Sequence, residues 1–300
     1  MKTATFCRLL AFGLLSAQAH AGTVTLTSAD VVSALDIEAA IQSATAGGTE
    51  PGIVILDGSA GPFEYTNGDR SINIRDISNL TLRGINSATI VNCDDGIFFD
   101  ANPVSNILIE GLVLQCVGDG IDARFGPGPR EKVTVRRNVI RSSGDPGQGT
   151  TGIVVADGRN WRITWNTIVG GSGVAQSAVE LSGGADTTVS NNLLVGFLGV
   201  AVVFDPVSLT PPTNHRIVGN RIDALQTGIR LDDAAAENRV IANRICVHTA
   251  PGPAIFLGPD TSNNRVHGNQ AALVSNGDLV VVEDLGTANE VSGNTRRRRC

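Results

Sequence analysis

Apolar and polar residues alternate in short runs along most of the chain, and the runs recur. Gly152 to Ala156, Ala178 to Ser182, Ala201 to Asp205, Gly228 to Asp232 and Ala254 to Gly258 each open on a small residue and then alternate; Gly96 to Asp100 and Gly120 to Arg124 share the pattern. Such period-2 runs predict short strands with one buried face. Between them stand seven asparagines in one local frame, Asn138, Asn166, Asn192, Asn220, Asn243, Asn269 and Asn294, at spacings of 28, 26, 28, 23, 26 and 25. Three residues before each lies Val135, Ile163, Val189, Ile217, Val240, Val266 or Val291, and two residues after the first five lies Ile140, Ile168, Leu194, Ile222 or Ile245.

Each repeat of about 26 residues therefore holds about three strands separated by turns. One such unit cannot bury its own apolar face, whereas stacked units bury a continuous column. Strands this short exclude helical repeats, and a propeller blade needs about 40 residues. The expectation is an all-β, single-domain solenoid: a parallel β-helix with one repeat per coil. Asn is expected in the left-handed turn conformation, with its amides bonded to the neighbouring coil. Before the repeats, Ile37, Ala40, Ile41 and Ala44 have helical spacing, with Asp36 read as the N-cap of a short helix that covers the open end of the column. Ile53 to Leu56 is read as the first strand, and Leu279 to Val282 with Val291 as the close of the stack.

Residues 1–21 read differently. Lys2 and Arg8 precede the apolar run Leu9 to Leu15, and Ala19-His20-Ala21 fits a small-x-small cleavage site, so this is a secretory leader and the mature chain is expected to be secreted or periplasmic. Residues 22–70 then carry the first strand and capping helix, 71–294 the β-helix and 295–300 a basic tail, read as a free end. No other segment is long and apolar enough for a membrane span. Without Lys2 and Arg8 the chain holds 21 basic against 29 acidic residues, and Arg296 to Arg299 supply four of the basic ones. That acidic body excludes nucleic acid as the expected partner. Aromatics are only 4% of the chain, so the core is built from Val, Ile, Leu and Ala.

The Asn ladder and the N-x-I…G-I-x-V rhythm, from Ser71 to Asn294, resemble the right-handed parallel β-helix superfamily, which includes the pectate-lyase-like proteins. The resemblance implies about nine coils, and an active site on the sheet formed by the Gly-Ile runs. Alternation puts Phe98, Asp122, Val154, Glu180, Val203, Arg230 and Phe256 in one outward file, and Asp100, Arg124, Ala156, Ser182, Asp205, Asp232 and Gly258 in the next.

Two polar clusters follow. Asp94, Asp95, Asp119 and Asp122 are candidate Ca²⁺ ligands, with Asp100 and Arg124 beside them, since Ca²⁺ takes six to eight oxygens. This is similar to the calcium-and-arginine arrangement of pectate lyases, with Asp122 and Arg124 as catalytic candidates and Arg124 as the base. The R-x-P-x-x-R motif of those enzymes is absent, and Arg124 to Arg130 is a loose echo of it. The alternative is that Asp100 and Arg124 pair across adjacent coils while the other aspartates hold turns. In the second cluster Asp205 and Asp232 are read as neighbours, a pair suited to general acid catalysis of glycoside hydrolysis. Glu180, Arg230, Phe98 and Phe256 are the substrate-binding candidates; the alternative is that Arg230 neutralises both aspartates. Arg162, Arg216, Arg239 and Arg265, each four residues before its Asn, form a further column, read as a solvated stripe. Trp161 and Trp165 are read as packing residues. Cys93 and Cys116 fall on adjacent coils, close enough for a disulfide, while Cys246 and Cys300 can pair only if the tail folds back.

The expected function is binding or cleavage of an extracellular, acidic polysaccharide by a monomer, with Ca²⁺-assisted elimination as its concrete form. The alternatives are a non-catalytic surface or periplasmic repeat protein, and a glycoside hydrolase.

Overall fold

The computed structural model describes residues 22–65, 71–100, 103–124, 130–142, 150–169, 177–203, 208–249, 252–275 and 278–300. Its strands stack in parallel into a right-handed solenoid of about nine turns. Three columns run along it. The first, of 11 strands, climbs from Thr23–Thr27 through Gly52–Asp57 and Leu80–Ile85 to Glu290–Ser292. The second contains Val113–Cys116 and, after it, the strands that follow each ladder Asn, such as Val139–Ser142 and Arg244–Val247. The third contains the Gly-Ile runs, such as Ile97–Phe99, Ile121–Ala123, Ile153–Ala156 and Ser177–Ser182. The stack begins earlier than expected, because Thr23–Thr27 pairs in register with Gly52–Asp57.

In the third column Ile97, Ile121, Ile153, Val179, Val200, Ile229 and Ile255 lie in register on successive coils, all fully buried. Burying each such side chain stabilises by roughly 1.5–3 kcal/mol, so the column gains with every coil added. The small residue that opens each run has a steric cause. A Cβ on Gly120 would sit 2.1 Å from Ile140 Cγ2 and 2.6 Å from the Gly152 carbonyl oxygen, because the chain turns a tight corner there.

The helix spans Ala34–Ala44 and buries Ala34, Ile37, Ala40, Ile41 and Ala44 against the first coils. Ser33, not Asp36, is its N-cap; the Asp36 carboxylate reaches back to accept from the amides of Ser33 and Val32, both at 2.9 Å. Both residues belong to one capping arrangement, in which the acid sits in the first turn.

The seven asparagines form a continuous ladder, buried at every rung but the half-buried last, Asn294. Asn192 is typical: its Oδ1 accepts from Asn166 N at 2.9 Å and Asn166 Nδ2 at 3.1 Å, while its Nδ2 donates to Ile163 O at 2.9 Å and Asn220 Oδ1 at 3.0 Å. The left-handed conformation falls on the residue before each: Arg137, Trp165, Asn191, Gly219, Ala242, Gly268 and Gly293 all have positive φ. That corrects the expectation, since the ladder Asn is selected for its amide and its predecessor makes the turn. It also explains Trp165, which is 63% exposed at φ 60° and is a turn residue, whereas Trp161 is fully buried, packs edge-on to Phe99 at 5.3 Å and donates to Arg130 O at 3.0 Å.

A second ladder runs five residues earlier. His215 N donates to Asn238 Oδ1, Asn238 to Asn264 Oδ1, and Asn264 to Asn289 Oδ1, at 2.8–2.9 Å. His215 takes the amide's place by accepting from Thr187 N through Nδ1 at 3.2 Å, and burial drives its imidazole down to about 4. Cys93 and Cys116, register partners in the second column, are joined by a disulfide with S–S 2.06 Å. The arginine tail, expected as a free end, runs on as the strand Thr295–Arg296 beside Gln270 and Ala271. Among the described residues no helix is long and apolar enough to cross a membrane.

Candidate functional site

The outward file of the third column runs Phe98, Asp122, Val154, Glu180, Ala201, Arg230, Phe256 by strand register. Ala201 stands where Val203 was expected. Gly199 makes the corner there, and a register irregularity lies between Gly196 and Leu198, so the run begins two residues earlier than the sequence suggests. Val202 faces Leu231, which puts Val203 beside Asp232. The expected Asp205–Asp232 pairing therefore loses its register, and Asp205 itself lies outside the described residues. The break Arg141 to Thr151 is described only in part; of Pro206 to Thr213, Leu209 and Thr210 are tied down by the Asp157 carboxylate.

Phe98 and Phe256 sit six strands apart, about 29 Å at the usual strand spacing, so they cannot stack on one sugar ring. Arg230 pairs with Asp232 at 2.5 Å and lies 5.9 Å from the Phe256 ring centroid. Glu180, which accepts from Ser182 Oγ at 2.9 Å, stands two coils from Asp122. In the arginine column Arg216, Arg239 and Arg265 occupy consecutive coils, exposed, with Arg265 3.5 Å from Glu290.

The residues the fold does bring together are Asp95, Asp119, Asp122 and Arg124. One carboxylate oxygen from each aspartate lies within 4.8 Å of the others. Asp94 stays outside this group, exposed at its turn. Two of the aspartates are fixed by the stacking of turns. Asp95 Oδ1 accepts from Asp119 N at 2.8 Å, and Asp119 Oδ1 accepts from Thr151 N at 2.5 Å. Each thus spends one oxygen on the next coil's amide, and Asp119 turns its other oxygen, Oδ2, to Arg124.

Arg124 folds back over its own coil. It pairs with Asp119 through Oδ2, and with Asp122 through Nε and Nη2, the latter at 3.1 Å. Asp122, expected to face outward, is left only 2% exposed for this reason, and Asp119 equally so, while 31% of the Arg124 side chain remains open. Asp100 lies 3.8 Å from Arg75 of the preceding coil, in place of the expected Arg124 contact.

The electrostatics sort the roles. Burial lifts the Asp119 carboxyl to about 7, against the opposing pull of Arg124 and the Thr151 amide. Asp95 is raised too, chiefly by burial. Burial pulls the Arg124 guanidinium down, but its bonds to Asp122 and the charge of Asp119 outweigh this and hold it above its ordinary value. The aspartates that bind Arg124 keep it charged, which argues against the proton-accepting role expected for it. As the site stands, Arg124 fills the place a cation would take on Asp119 and Asp122, and the three carboxylates do not fit Ca²⁺ with it there. Arg130, fully buried with Nη1 on Ala156 O at 3.3 Å, adds its charge near Asp122. Sequence reasoning did not assign Arg130 or Thr151 to the site. A cavity of about 650 Å³ lies elsewhere, between Leu273 to Ser275 and the tail arginines, and its lining contains no Asp or Glu side chain.

No curated protein sequence matches this chain. Among solved structures it is similar to the Dettilon tailspike protein (15% identity, TM-score 0.54), over 91% of this chain and 68% of that one. It is similar to DFA-IIIase from Arthrobacter chlorophenolicus A6 in complex with DFA-III (14%, TM-score 0.56), over 92% and 84%. A third is PfbA, a surface adhesin of Streptococcus pneumoniae (13%, TM-score 0.55), over 90% and 91%. At these identities the likeness is one of fold. The family model for a right-handed β-helix region matches residues 130–297, more than half the sequence, and with the parallel three-column stack it places the chain in the right-handed β-helix family.

Proposed function

We propose that the protein binds and cleaves an extracellular polysaccharide on the outward face of the third column, with Asp95, Asp119, Asp122 and Arg124 as the reacting centre. The observation that carries this reading is a carboxyl lifted to about 7 whose neighbours are two further carboxylates within 4.8 Å. Two carboxyl groups in different protonation states are what glycosidic acid–base chemistry requires. Asp119 Oδ2 would supply the proton to the leaving oxygen, and Asp122 would face the charge that develops on the sugar. One oxygen of each carboxylate lies within 4.8 Å of the others, closer than the about 6.5–9.5 Å that inverting enzymes leave for a water, so the retaining arrangement is the one favoured. Arg124 and Asp95 form the exposed edge, so a sugar meets them first, and withdrawal of Arg124 uncovers Asp119.

With Asp119 protonated, Asp95 and Asp122 stand against Arg124 and the nearby Arg130, so the centre has no surplus positive charge to hold a uronate, which favours a sugar uncharged at the scissile bond. Ca²⁺-assisted elimination on an acidic polysaccharide is the second reading, and it requires Arg124 to leave Asp119 and Asp122. Related folds are represented by an enzyme solved with DFA-III and by an adhesin, so catalysis and pure binding both enter the test.

The test is a panel of neutral and acidic polysaccharides with wild type and Asp119→Asn, with added Ca²⁺ and with chelator. Reducing ends released at neutral pH and lost about 100-fold in the variant support the proposal. Unsaturated product that vanishes on chelation supports the elimination reading. Saturable binding without any product leaves the face as a binding surface and refutes the catalytic assignment.

A further inference from the structure

The Arg296–Cys300 segment returns along the second column. Thr295 and Arg296 pair in register with Gln270 and Ala271, and Arg297 N donates to Ala271 O at 2.6 Å. The segment's last side chain lies against the strand beside it: Cys300 Sγ is 3.7 Å from the carbonyl oxygen of Ala272. Ala272 is the register partner of Cys246 on the adjacent strand. Both sulfur-bearing residues line one cavity of about 120 Å³ together with Arg221, Arg244, Arg297 and Arg299. Neither is buried beyond reach, since Cys246 is half-buried and Cys300 exposed. The Cys246 thiol is hydrogen-bonded to Cys300, and burial together with that bond pushes it up to about 12.

We propose that Cys246 and Cys300 form a second disulfide, which ties the arginine segment to the side of the solenoid. The two residues are 54 positions apart, and it is the strand pairing of Thr295 and Arg296 that brings them together. Closure is an exchange with a low-molecular-weight disulfide. One thiol, as thiolate, attacks that disulfide and expels a thiol; the second displaces the other thiol from the mixed disulfide. Two protein thiols are oxidised and one external disulfide is reduced to two thiols. Cys300, the more exposed, is the first attacker, because the raised Cys246 thiol is seldom ionised at neutral pH.

The bond opposes a repulsion built into the segment. Four arginines line the cavity, with Asp223, already bonded to His248, as the nearby acid acting on Cys246. Free of the bond, Arg297 and Arg299 gain by moving away from Arg221 and Arg244; once bonded, they cannot.

The experiment is non-reducing peptide mapping of the full chain after incubation with oxidised glutathione and blocking of residual thiols. Cleavage after glutamate releases the piece that follows Glu290 and the piece between Glu237 and Glu283, which hold Cys300 and Cys246. The expected result is one species in which these two are joined, lost on reduction and absent from both Cys246→Ser and Cys300→Ser. Both variants leave the Cys93–Cys116 bond in place, so they separate this bond from a general folding defect. Complete blocking of both thiols after oxidation, or a Cys300–Cys300 link between two copies, would overturn the proposal.

Discussion

Asn192→Ala removes one rung from the middle of the first ladder, and the structure sets its cost. The substitution takes away the Oδ1 that accepts from Asn166 N and Nδ2 and the Nδ2 that donates to Ile163 O and Asn220 Oδ1. Asn166 Nδ2 keeps its bond to Val135 O at 2.9 Å, and Asn220 Oδ1 keeps the Asn192 backbone amide. The Asn166 backbone N–H loses its acceptor, and the Ile163 carbonyl loses its side-chain donor. Asn192 is 2% exposed, so water does not readily replace these bonds. At about 1–3 kcal/mol for each buried polar group left unmet, the cost is about 4 kcal/mol. Asn294→Ala is the control. It breaks the equivalent bonds from Asn269 N at 3.0 Å and Nδ2 at 2.9 Å, but at the half-buried last rung, where water can enter, and about 1 kcal/mol is expected. Guanidinium unfolding followed by circular dichroism measures both, with equal denaturant slopes required for the comparison. A loss below about 1 kcal/mol for Asn192→Ala, or equal losses at the two rungs, would refute the view that the ladder is a buried hydrogen-bond column.

Other expectations follow from the same geometry. His215→Asn keeps the second ladder and removes its titration: with a folded value near 4 against 6.5 in the unfolded chain, wild type loses stability as pH falls through that window, and the variant does not. Asp119 has the opposite sign, because its raised folded value makes wild type lose stability as pH rises from about 4 towards 7, and Asp119→Asn abolishes that fall in melting temperature. Replacing Cys93 and Cys116 together by Ser opens a loop between residues 23 apart and lowers stability by about 3 kcal/mol in the same denaturation assay. Trp165→Gly relieves a left-handed non-glycine residue at the position filled by glycine in Gly219, Gly268 and Gly293, and raises stability by about 1 kcal/mol.

The fold was legible because its evidence is periodic. The ladder asparagines and the β-branched residues before them repeat through seven successive coils from Asn138 to Asn294, so the stack follows from spacing alone. The second ladder has the same spacing from residue 215 onward and still went unseen, because Trp161, Thr187 and His215 hold its earlier rungs and hide the asparagines that follow. Alignment failed where two residues compete for one corner: Gly199 and Ala201 are both small, and only the register shows that Gly199 turns the chain. The site was half legible. Asp95, Asp119 and Asp122 stand out as acids on neighbouring coils, but the state of Asp119 depends on burial and on Arg124 folding back over its own coil, neither of which leaves a mark in the sequence.

The two ladders also act as a ruler. From His215 and Asn220 to Asn289 and Asn294 the second ladder keeps a constant offset of five residues from the first, while the repeats themselves vary from 23 to 26. All variation in length is therefore expelled from the short segment between the rungs into the rest of each coil. An inserted peptide between Asn238 and Asn243 would throw two hydrogen-bonded columns out of step at once. The same peptide placed after Thr249 would leave both columns in step. The molecule thus carries its own map of where foreign sequence can be grafted, and that map is set by amide geometry alone.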